Sequence, residues 1–183
     1  MNKIFIATDI HGSAYAVKRI LQRFEKEKAD LLVLLGDIYN HGPRNPFPQE
    51  YAPMEVAELL NGVKDKLLVI KGNCDSEVDS MISSFDFLEN NVLFHFGRRI
   101  FLTHGHRYNC DNLPALSAGD VMFMGHFHIN RISEVNGVIC VNVGSCALPK
   151  DGVPSFCVVD GNSIRLVSLE DGKVTDSFSF CKQ

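Results

Sequence analysis

Side chains that can bind metal ions follow five apolar runs of this chain, each close to the point where the run ends. The runs read as buried strands and span residues 4–7, 31–35, 67–70, 101–102 and 121–124. The polar side chains that follow them are Asp9, His11, Asp37, Asn73, His104, His126 and His128. Ligands of open α/β sheets gather beyond the carboxyl ends of the strands, so we expect these side chains to converge on one spot.

The order of these residues resembles that of a known family. The motifs are Asp-x-His at 9–11, Gly-Asp at 36–37, Gly-Asn-x-Asp at 72–75, His-Gly-His at 104–106 and Gly-His-x-His at 125–128. One short motif is weak evidence, whereas five in a fixed order over most of the chain are strong evidence. The chain resembles the calcineurin-like metallophosphoesterases, and its stretches 40–45 and 72–79 are similar to the small bacterial YfcE-type phosphodiesterases.

Length and composition predict one domain over residues 1–183. Of the 183 residues, 45% are hydrophobic, which suffices for a sizeable core, and no Pro/Gly/Ser-rich linker divides the chain. The start of the chain lacks a basic segment followed by a long apolar stretch, and no apolar run reaches membrane length. We therefore expect a soluble, cytoplasmic protein without a membrane partner.

Charge and cysteine content narrow the function further. The formal net charge is −4, which argues against an extended nucleic-acid surface, because such a surface needs clustered Lys and Arg. Six cysteines are scattered without a Cys-x-x-Cys pair, and Cys140, Cys157 and Cys181 lie in apolar runs. We expect free thiols in the core rather than disulfides.

The first half of the chain predicts a strand, helix, strand opening. Ser13 can cap a helix that runs to Phe24 with apolar residues at a 3.6-residue period. A loop with one glycine and four prolines spans residues 40–53, since prolines forbid a regular helix there. A second helix is predicted at about 54–61, and a short helix after Ser76.

The second half predicts hairpins. Short strands at 99–103, 138–141, 155–159, 163–168 and 174–180 are separated by Asn-Gly, Asp-Gly or Gly-Asn turns. The fold class is therefore α/β, with two mixed β-sheets packed face to face and helices outside. The resemblance implies the same arrangement, a four-layer α/β/β/α fold.

The residue types also suggest metal-binding roles. Asp9 and His11 are two positions apart and can reach one ion, although either could only cap the next helix. A carboxylate with two oxygens can bridge two cations, and we assign this role to Asp37. Asn73 offers an amide oxygen, with a turn asparagine as the alternative. The resemblance places Asn73, His104 and His126 on a second ion and His128 on the first.

Oxygen and nitrogen ligands suit Mn²⁺ as the first choice, with Fe²⁺, Ni²⁺ or Zn²⁺ as alternatives. Two such ions would generate an attacking hydroxide near neutral pH and offset the charge of an in-line displacement. Since the resemblance places His104 on the metal, His106 is expected to be a pocket-wall residue or a donor behind the ligands, although spacing alone cannot distinguish the two histidines. His95 lies outside any motif and is expected to be structural.

Further candidates lie beside these motifs. Where this chain has Cys74, the resemblance places a histidine that donates a proton to the leaving group. A thiol is a poorer acid at pH 7 than an imidazolium, and beside metals it can lose its proton. Asp75 is a catalytic candidate that can orient a histidine or a water, or it can cap a helix, as Ser76 can. In the stretch 40–45, Asn40 and His41 can contact a phosphoryl oxygen and Arg44 can bind one through its fork of donors; His41 is also a catalytic candidate.

The sequence thus predicts a metal-dependent phosphodiesterase that hydrolyses small phosphodiesters through a dinuclear centre and metal-bound hydroxide. A phosphomonoesterase is the nearer alternative, and it would be slow on poor leaving groups without the histidine acid. The second alternative is a non-catalytic interaction scaffold like the Vps29-type proteins, a role that tolerates the loss of metal ligands. All seven ligand positions of this chain carry side chains that can bind metal, which favours an enzyme over a scaffold. The natural substrate and the oligomeric state, homo-oligomers included, stay open.

Overall fold

The computed structural model describes residues 2–180 and contains twelve strands within them. The strands are β1 (Lys3–Ala7), β2 (Leu31–Leu34), β3 (Leu67–Ile70), β4 (Phe87–Leu88), β5 (Asn91–His95), β6 (Arg98–Leu102), β7 (Val121–Met124), β8 (Asn130–Val135), β9 (Val138–Val143), β10 (Ser155–Asp160), β11 (Ser163–Ser168) and β12 (Val174–Ser179). The helices are α1 (Ala14–Glu27) and α2 (Pro53–Asn61), and 3-10 turns span Lys64–Lys66 and Glu77–Met81.

These strands form two mixed sheets. The seven-stranded sheet has the order β12-β11-β10-β1-β2-β3-β4, in which β1 to β4 are parallel and the other neighbours pair antiparallel. The five-stranded sheet has the order β5-β6-β7-β9-β8, in which β6, β7 and β9 are parallel. The predicted fold class, two mixed sheets with few helices, is confirmed.

Alternating side chains divide the core into layers. Ile4 and Ile6 of β1 lie between the sheets with Phe123 of β7, whereas Phe5 and Ala7 face the helices. Successive residues of a strand point to opposite faces, so one strand serves both layers. The outer face of the five-stranded sheet is covered by residues 105–120, which form turns and bends instead of a helix.

The helices begin close to their predicted positions. The side chain of Ser13 accepts a hydrogen bond from the Ala16 amide at 3.1 Å, as expected of an N-cap. Helix α2 begins at Pro53, whose missing N–H costs nothing in the first turn. The expected helix after Ser76 is a 3-10 turn, in which Asp79 accepts a bond from the Ser76 amide at 2.7 Å.

Six parallel strands end at one edge of the two sheets. They are β1, β2 and β3 in the first sheet and β6, β7 and β9 in the second. The loops that follow them carry all seven predicted metal ligands, and hydrogen bonds join loops from different sheets, such as the Cys146 amide to Thr8 O at 3.1 Å. The fold thereby places the candidate site at this edge.

Residues 2–180 contain five free thiols and two α-helices. Within this range the free cysteines are Cys74, Cys110, Cys140, Cys146 and Cys157, and the last three are buried. Cys181 lies outside the described residues. Neither helix in the described range has the length and apolar character needed to cross a bilayer.

Candidate metal centre

Five of the predicted ligands converge into overlapping groups of side chains. The groups are Asp9 with His11 and His128, Asp9 with Asp37 and His104, and His11 with Asp37 and Cys74. Within each group the ligand atoms all lie within 4.8 Å of one another. All of these side chains except Cys74 are buried. Residues far apart in sequence therefore converge at one buried site.

Asp9 has one satisfied oxygen and one free oxygen. Its Oδ2 accepts hydrogen bonds from the Thr8 hydroxyl at 2.7 Å and the His126 amide at 2.9 Å. Its Oδ1 is buried and has no hydrogen bond of good geometry among the described residues. This atom lies 3.2 Å from Nε2 of His128 and 3.7 Å from Nε2 of His11. A buried carboxylate oxygen without a donor is costly, and a cation satisfies it.

Three histidines are held by their Nδ1 atoms. Nδ1 lies 2.8 Å from Asn40 O in His11, 2.6 Å from Leu35 O in His104 and 2.7 Å from Leu148 O in His128. A carbonyl oxygen only accepts, so Nδ1 carries the hydrogen in each ring. In the neutral form the Nε2 lone pair of each ring is then available to a metal, the usual arrangement of histidine ligands.

Asp37 lies between two of these histidines. Its Oδ2 is 3.7 Å from Nε2 of His11, and its Oδ1 is 3.5 Å from Nε2 of His104. Oδ1 also accepts the Cys74 amide at 2.8 Å. The two oxygens of one carboxylate therefore face two different histidines, which is the geometry that a bridging ligand requires.

Asn73 and His126 lie on the His104 side of the site. The amide oxygen of Asn73 is 3.1 Å from Nε2 of His104, and the His126 ring is 5.2 Å from the His104 ring between centroids. Burial lowers the pKa of His126, and the positive field of His104 acts in the same direction. A neutral imidazole is the form that binds metals. Both residues lie beside His104, the residue with which the resemblance groups them.

His106 lies behind this group. Its ring centroid is 5.4 Å from that of His104 and 6.3 Å from that of His126, and its Nδ1 is buried without a hydrogen-bond partner in the described range. Burial and the field of His104 lower its pKa. His106 thus packs against two candidate ligands and does not join the groups of converging ligand atoms.

The backbone of the site is unusual. Positive φ angles occur at five candidate ligands: Asp9 (54°), His11 (51°), Asp37 (55°), His126 (69°) and His128 (61°). Only nine non-glycine residues in the described part of the chain have a positive φ, so most of them are ligands. Such a conformation costs on the order of 1–3 kcal/mol per residue and persists at sites where the surrounding structure fixes it.

Asp75 connects two of the ligand loops. Its carboxylate is buried and accepts backbone hydrogen bonds from Asp37 at 2.8 Å, Ile38 at 2.7 Å and Gly72 at 2.7 Å. Burial raises the pKa of Asp75 to about 6, while these amides oppose that rise. The Asp75 oxygens therefore hold the loops after β2 and β3 together, a role that differs from the expected orientation of a histidine or a water.

Two glycines permit the close approach of these loops. A Cβ on Gly72 would overlap Asp37, and a Cβ on Gly125 would overlap Thr8 and Asp9. Gly72 has no positive φ, so its role is close packing rather than the expected freedom of a tight turn. Gly125 clears space for the site as predicted.

Cys74 faces the site as a protonated thiol. Burial raises its pKa to about 12, and the negative charge of Asp37 adds to that rise. The side-chain amide of Asn73 donates to the sulfur at 3.3 Å. In the metal-free protein the pKa of Cys74 thus moves away from neutral pH.

A cavity of about 690 Å³ opens onto these side chains. Asn40 and Arg44 line it, as predicted for the stretch 40–45. His41 is not among the lining residues, because its ring packs against Phe47 at 4.4 Å and Tyr51 at 5.4 Å between centroids. The aromatic side chains of the loop thus hold the His41 ring away from the cavity wall, and this geometry supports neither of the two roles predicted for His41.

Two contributors escaped the sequence analysis. Lys150 lines the cavity, and its amide donates to His128 O at 2.8 Å, which fixes the loop after β9 beside the site. The buried hydroxyl of Ser145 donates to Asp9 O at 2.9 Å and accepts the Leu148 amide at 2.9 Å. Lys150 belongs to no motif with a distinctive spacing. Ser145 ends the stretch Asn142-Val143-Gly144-Ser145, which resembles an Asn-Pro-Gly-Ser motif of the family, but that resemblance gave Ser145 no role.

Comparison with known proteins agrees with this geometry. Residues 2–163 match the family model of the calcineurin-like phosphoesterase superfamily domain. The chain belongs to this superfamily. This phosphoesterase is 42% identical over 177 residues to phosphodiesterase YfcE of Escherichia coli strain K12, which covers 95% of this chain and 96% of that protein. At this identity, the enzyme class is phosphodiesterase.

Other relatives are more distant. The phosphoesterase is 29% identical over 186 residues to the probable metallophosphoesterase YsnB of Bacillus subtilis, covering 96% of this chain and 89% of that protein. The solved structure of the E. coli phosphoesterase YfcE superposes with a TM-score of 0.94 at 39% identity, covering 97% and 98% of the two chains. Vacuolar protein sorting 29 of Cryptosporidium parvum superposes at 0.66 with 22% identity, covering 99% and 98%, which shows a shared fold alone.

Proposed function

We propose that this phosphoesterase hydrolyses small phosphodiesters with the help of two divalent metal ions. The first ion would be held by Asp9, His11, Asp37 and His128, and the second by Asp37, Asn73, His104 and His126. When bound, such ions activate a water molecule and offset the charge that develops on the phosphoryl group. The observation that carries this proposal is the free, buried Oδ1 of Asp9, which faces two Nε2 atoms.

The donor set favours Mn²⁺ over the alternatives Fe²⁺, Ni²⁺ and Zn²⁺. It consists of carboxylate and amide oxygens with histidine nitrogens, whereas the Cys74 thiol, whose sulfur lies near His11 and Asp37, has a raised pKa in the metal-free protein. Mixed oxygen and nitrogen ligands without a thiolate suit Mn²⁺, whereas thiolate ligands would favour Zn²⁺.

Basic side chains at the rim would bind the phosphate. Arg44 and Lys150 both line the cavity, on loops that follow β2 and β9. Neither side chain has an ion pair within the described range, so both are available to a ligand. Asn40, which also lines the cavity, would contact a phosphoryl oxygen.

A diester is the better substrate class than a monoester. Cys74 occupies the place where the resemblance expects a proton donor, and its raised pKa makes it a poor acid at neutral pH. Activity should therefore depend on good leaving groups. The relation to phosphodiesterase YfcE supports the same class.

The cellular setting follows from the thiols and the fold. Five free cysteines in the described range fit a reducing compartment, so we place the protein in the cytoplasm. Because the candidate site takes residues from both sheets, we treat residues 1–183 as a single domain.

The test is a screen of the purified protein, reconstituted with each metal, over a panel of phosphomonoesters and phosphodiesters. We expect two bound Mn²⁺ ions per chain and faster turnover of aryl diesters than of the matching monoesters. A protein that binds no metal and hydrolyses neither class would contradict the proposal and favour an interaction scaffold. Faster monoester turnover would reverse the assigned class.

A further inference from the structure

A second cavity lies beside the metal site on the outer face of the five-stranded sheet. Its volume is about 340 Å³, within the range of roughly 300–1,000 Å³ that is usual for small-molecule pockets. Its lining residues come from the turn at 109–111 and from strands β7, β8 and β9 with the loop after β7. The apolar members are Cys110, Met124, Phe127 and Ile129.

Phe127 connects this cavity to the metal site. Its ring belongs to the wall of both cavities and meets the ring of His126 edge-on, with centroids 5.2 Å apart at 79°. The neighbours of Phe127 in sequence, His126 and His128, are both predicted ligands. A group bound against Phe127 would therefore lie one ring away from the metal centre.

The exposure of these apolar side chains is unusual for a catalytic rim. Phe127 is 37% exposed and Ile129 is 44% exposed, although both flank the buried His128. Exposed apolar side chains at a concave site mark places where ligands bind. Aromatic side chains favour aromatic ligands through stacked or edge-to-face contacts.

The turn that closes the cavity is fixed to the same site. The side-chain amide of Asn109 donates to Gly105 O at 3.2 Å, directly after the predicted ligand His104. Cys110 packs against the apolar cluster on the outer face of the sheet, with its sulfur 3.8 Å from the Ser133 hydroxyl. The turn at 109–111 is thus anchored both to the loop of His104 and to strand β8.

We infer that this side cavity binds an aromatic ester group of the phosphodiester while the phosphate occupies the metal site. The inference rests on the proposed function and narrows its substrate class to diesters with at least one aromatic substituent. Phe127 would supply the aromatic contact, and Ser133 marks the opposite wall.

The experiment compares two symmetric diesters with poor leaving groups, diphenyl phosphate and dimethyl phosphate, by calorimetric titration of the Mn²⁺-loaded protein. We expect the wild type to bind the diphenyl ester about tenfold more tightly or better, given the usual strength of aromatic contacts. Phe127→Ala should bring the ratio of the two affinities close to one with unchanged metal content. Ser133→Phe, which fills the cavity from β8 without contacting a predicted ligand, should do the same.

The matched control is Phe94→Ala, because Phe94 is 81% exposed on β5 and lies in neither cavity wall. This variant should keep the wild-type ratio. A wild-type ratio near one, or a ratio that persists in Ser133→Phe, would overturn the inference. Turnover of a 4-nitrophenyl diester, measured in parallel, tests the proposed function separately. If the protein turns over this diester but binds the two esters with equal affinity, the phosphodiesterase proposal stands and only the role of the side cavity is contradicted.

Discussion

The Nε2 atoms of His11 and His128 lie 3.2 Å apart at the centre of the candidate site. Each ring has its Nδ1 at a backbone carbonyl, so in the neutral rings two lone pairs face each other. This contact is repulsive unless a positive charge lies between or beside the two atoms. In the metal-free protein a proton can take that position, and in the loaded protein a metal ion replaces it.

The first prediction concerns pH and metal removal. Burial acts to lower the pKa of His128, but the negative charge of Asp9, whose Oδ1 lies 3.2 Å from Nε2, raises it above its ordinary value. A raised pKa stabilises the metal-free fold fully below the unfolded-state pKa, and this stabilisation is lost as the pH rises through the folded-state pKa. Metal binding requires the deprotonated ring. The drop in Tm caused by EDTA should therefore be larger near pH 8 than below about pH 6.

Thermal denaturation with and without EDTA over this pH range checks that prediction. In His128→Gln the drop in Tm should be small and nearly independent of pH, because the titrating ring is gone. A wild-type drop that stays constant or shrinks as the pH rises would show that His128 does not exchange a proton for a metal.

The second prediction concerns the bridge. Asp37→Ala should release metal and reduce turnover by more than the roughly 10–100-fold that loss of an outer contact costs a metal site. The reason is that one carboxylate faces both His11 and His104. Metal analysis by mass spectrometry and diester turnover measure the effect. Asp65→Ala, at an exposed carboxylate remote from the site, is the matched control. Two retained ions with near-normal turnover would refute the bridge.

The third prediction separates Asp75 from the chemistry. Asp75→Asn keeps the side-chain shape but sets an NH₂ group against backbone donors, which costs about 1–3 kcal/mol of folding free energy. We expect a lower Tm and weaker metal affinity, with turnover partly restored by excess metal. Turnover that stays low at saturating metal, with normal stability, would show that the carboxylate acts on the substrate after all.

The order of elements and most of the ligand set were predictable from the sequence because each depends on local patterns. Buried parallel strands are continuous apolar runs, so β1, β2, β3 and β7 were visible. Strand β8 (Asn130–Val135) was not among the predicted strands, since polar residues interrupt its apolar pattern. Residues 105–120 form an outer layer of turns, where the expected four-layer arrangement has helices.

Tertiary contacts decided the features that the sequence could not show. The left-handed backbone at Asp9 and His128 is set by the loops that surround them, not by their residue types. His41 followed the same local reasoning as Arg44, yet contacts with Phe47 and Tyr51 hold its ring away from the cavity. A motif gives the spacing of residues but not the direction of their side chains.

The fourth prediction concerns the two basic residues of the rim. Arg44→Ala and Lys150→Ala should each raise KM for diesters while metal content stays unchanged, because both side chains line the cavity without joining the ligand groups. Loss of a charge-assisted contact costs about 1.5–3 kcal/mol, or roughly tenfold to a hundredfold in affinity. Lys173→Ala serves as the control, since Lys173 pairs with Asp171 on the surface. An unchanged KM would show that the substituted residue does not bind the substrate.

The last prediction follows from the thiol at position 74. Because burial and the charge of Asp37 raise the pKa of Cys74 to about 12, the thiol cannot deliver a proton efficiently at neutral pH. The rate of the wild type should therefore fall steeply as the pKa of the leaving group rises.

Rates over a series of substituted aryl phosphodiesters decide this point for three proteins. Cys74→Ser should change little, since a hydroxyl is no better an acid. Cys74→His should flatten the dependence and increase turnover of poor leaving groups by up to about 10²-fold, the lower end of what general acid catalysis supplies. Gly42 lies close to the Cys74 sulfur, because a Cβ at Gly42 would be 3.2 Å from it. The imidazole of the Cys74→His variant therefore has to fit beside the stretch 40–45. A shallow wild-type slope, or a large loss in Cys74→Ser, would mean that the thiol itself takes part in the reaction, because neither result is expected of a side chain that only fills space.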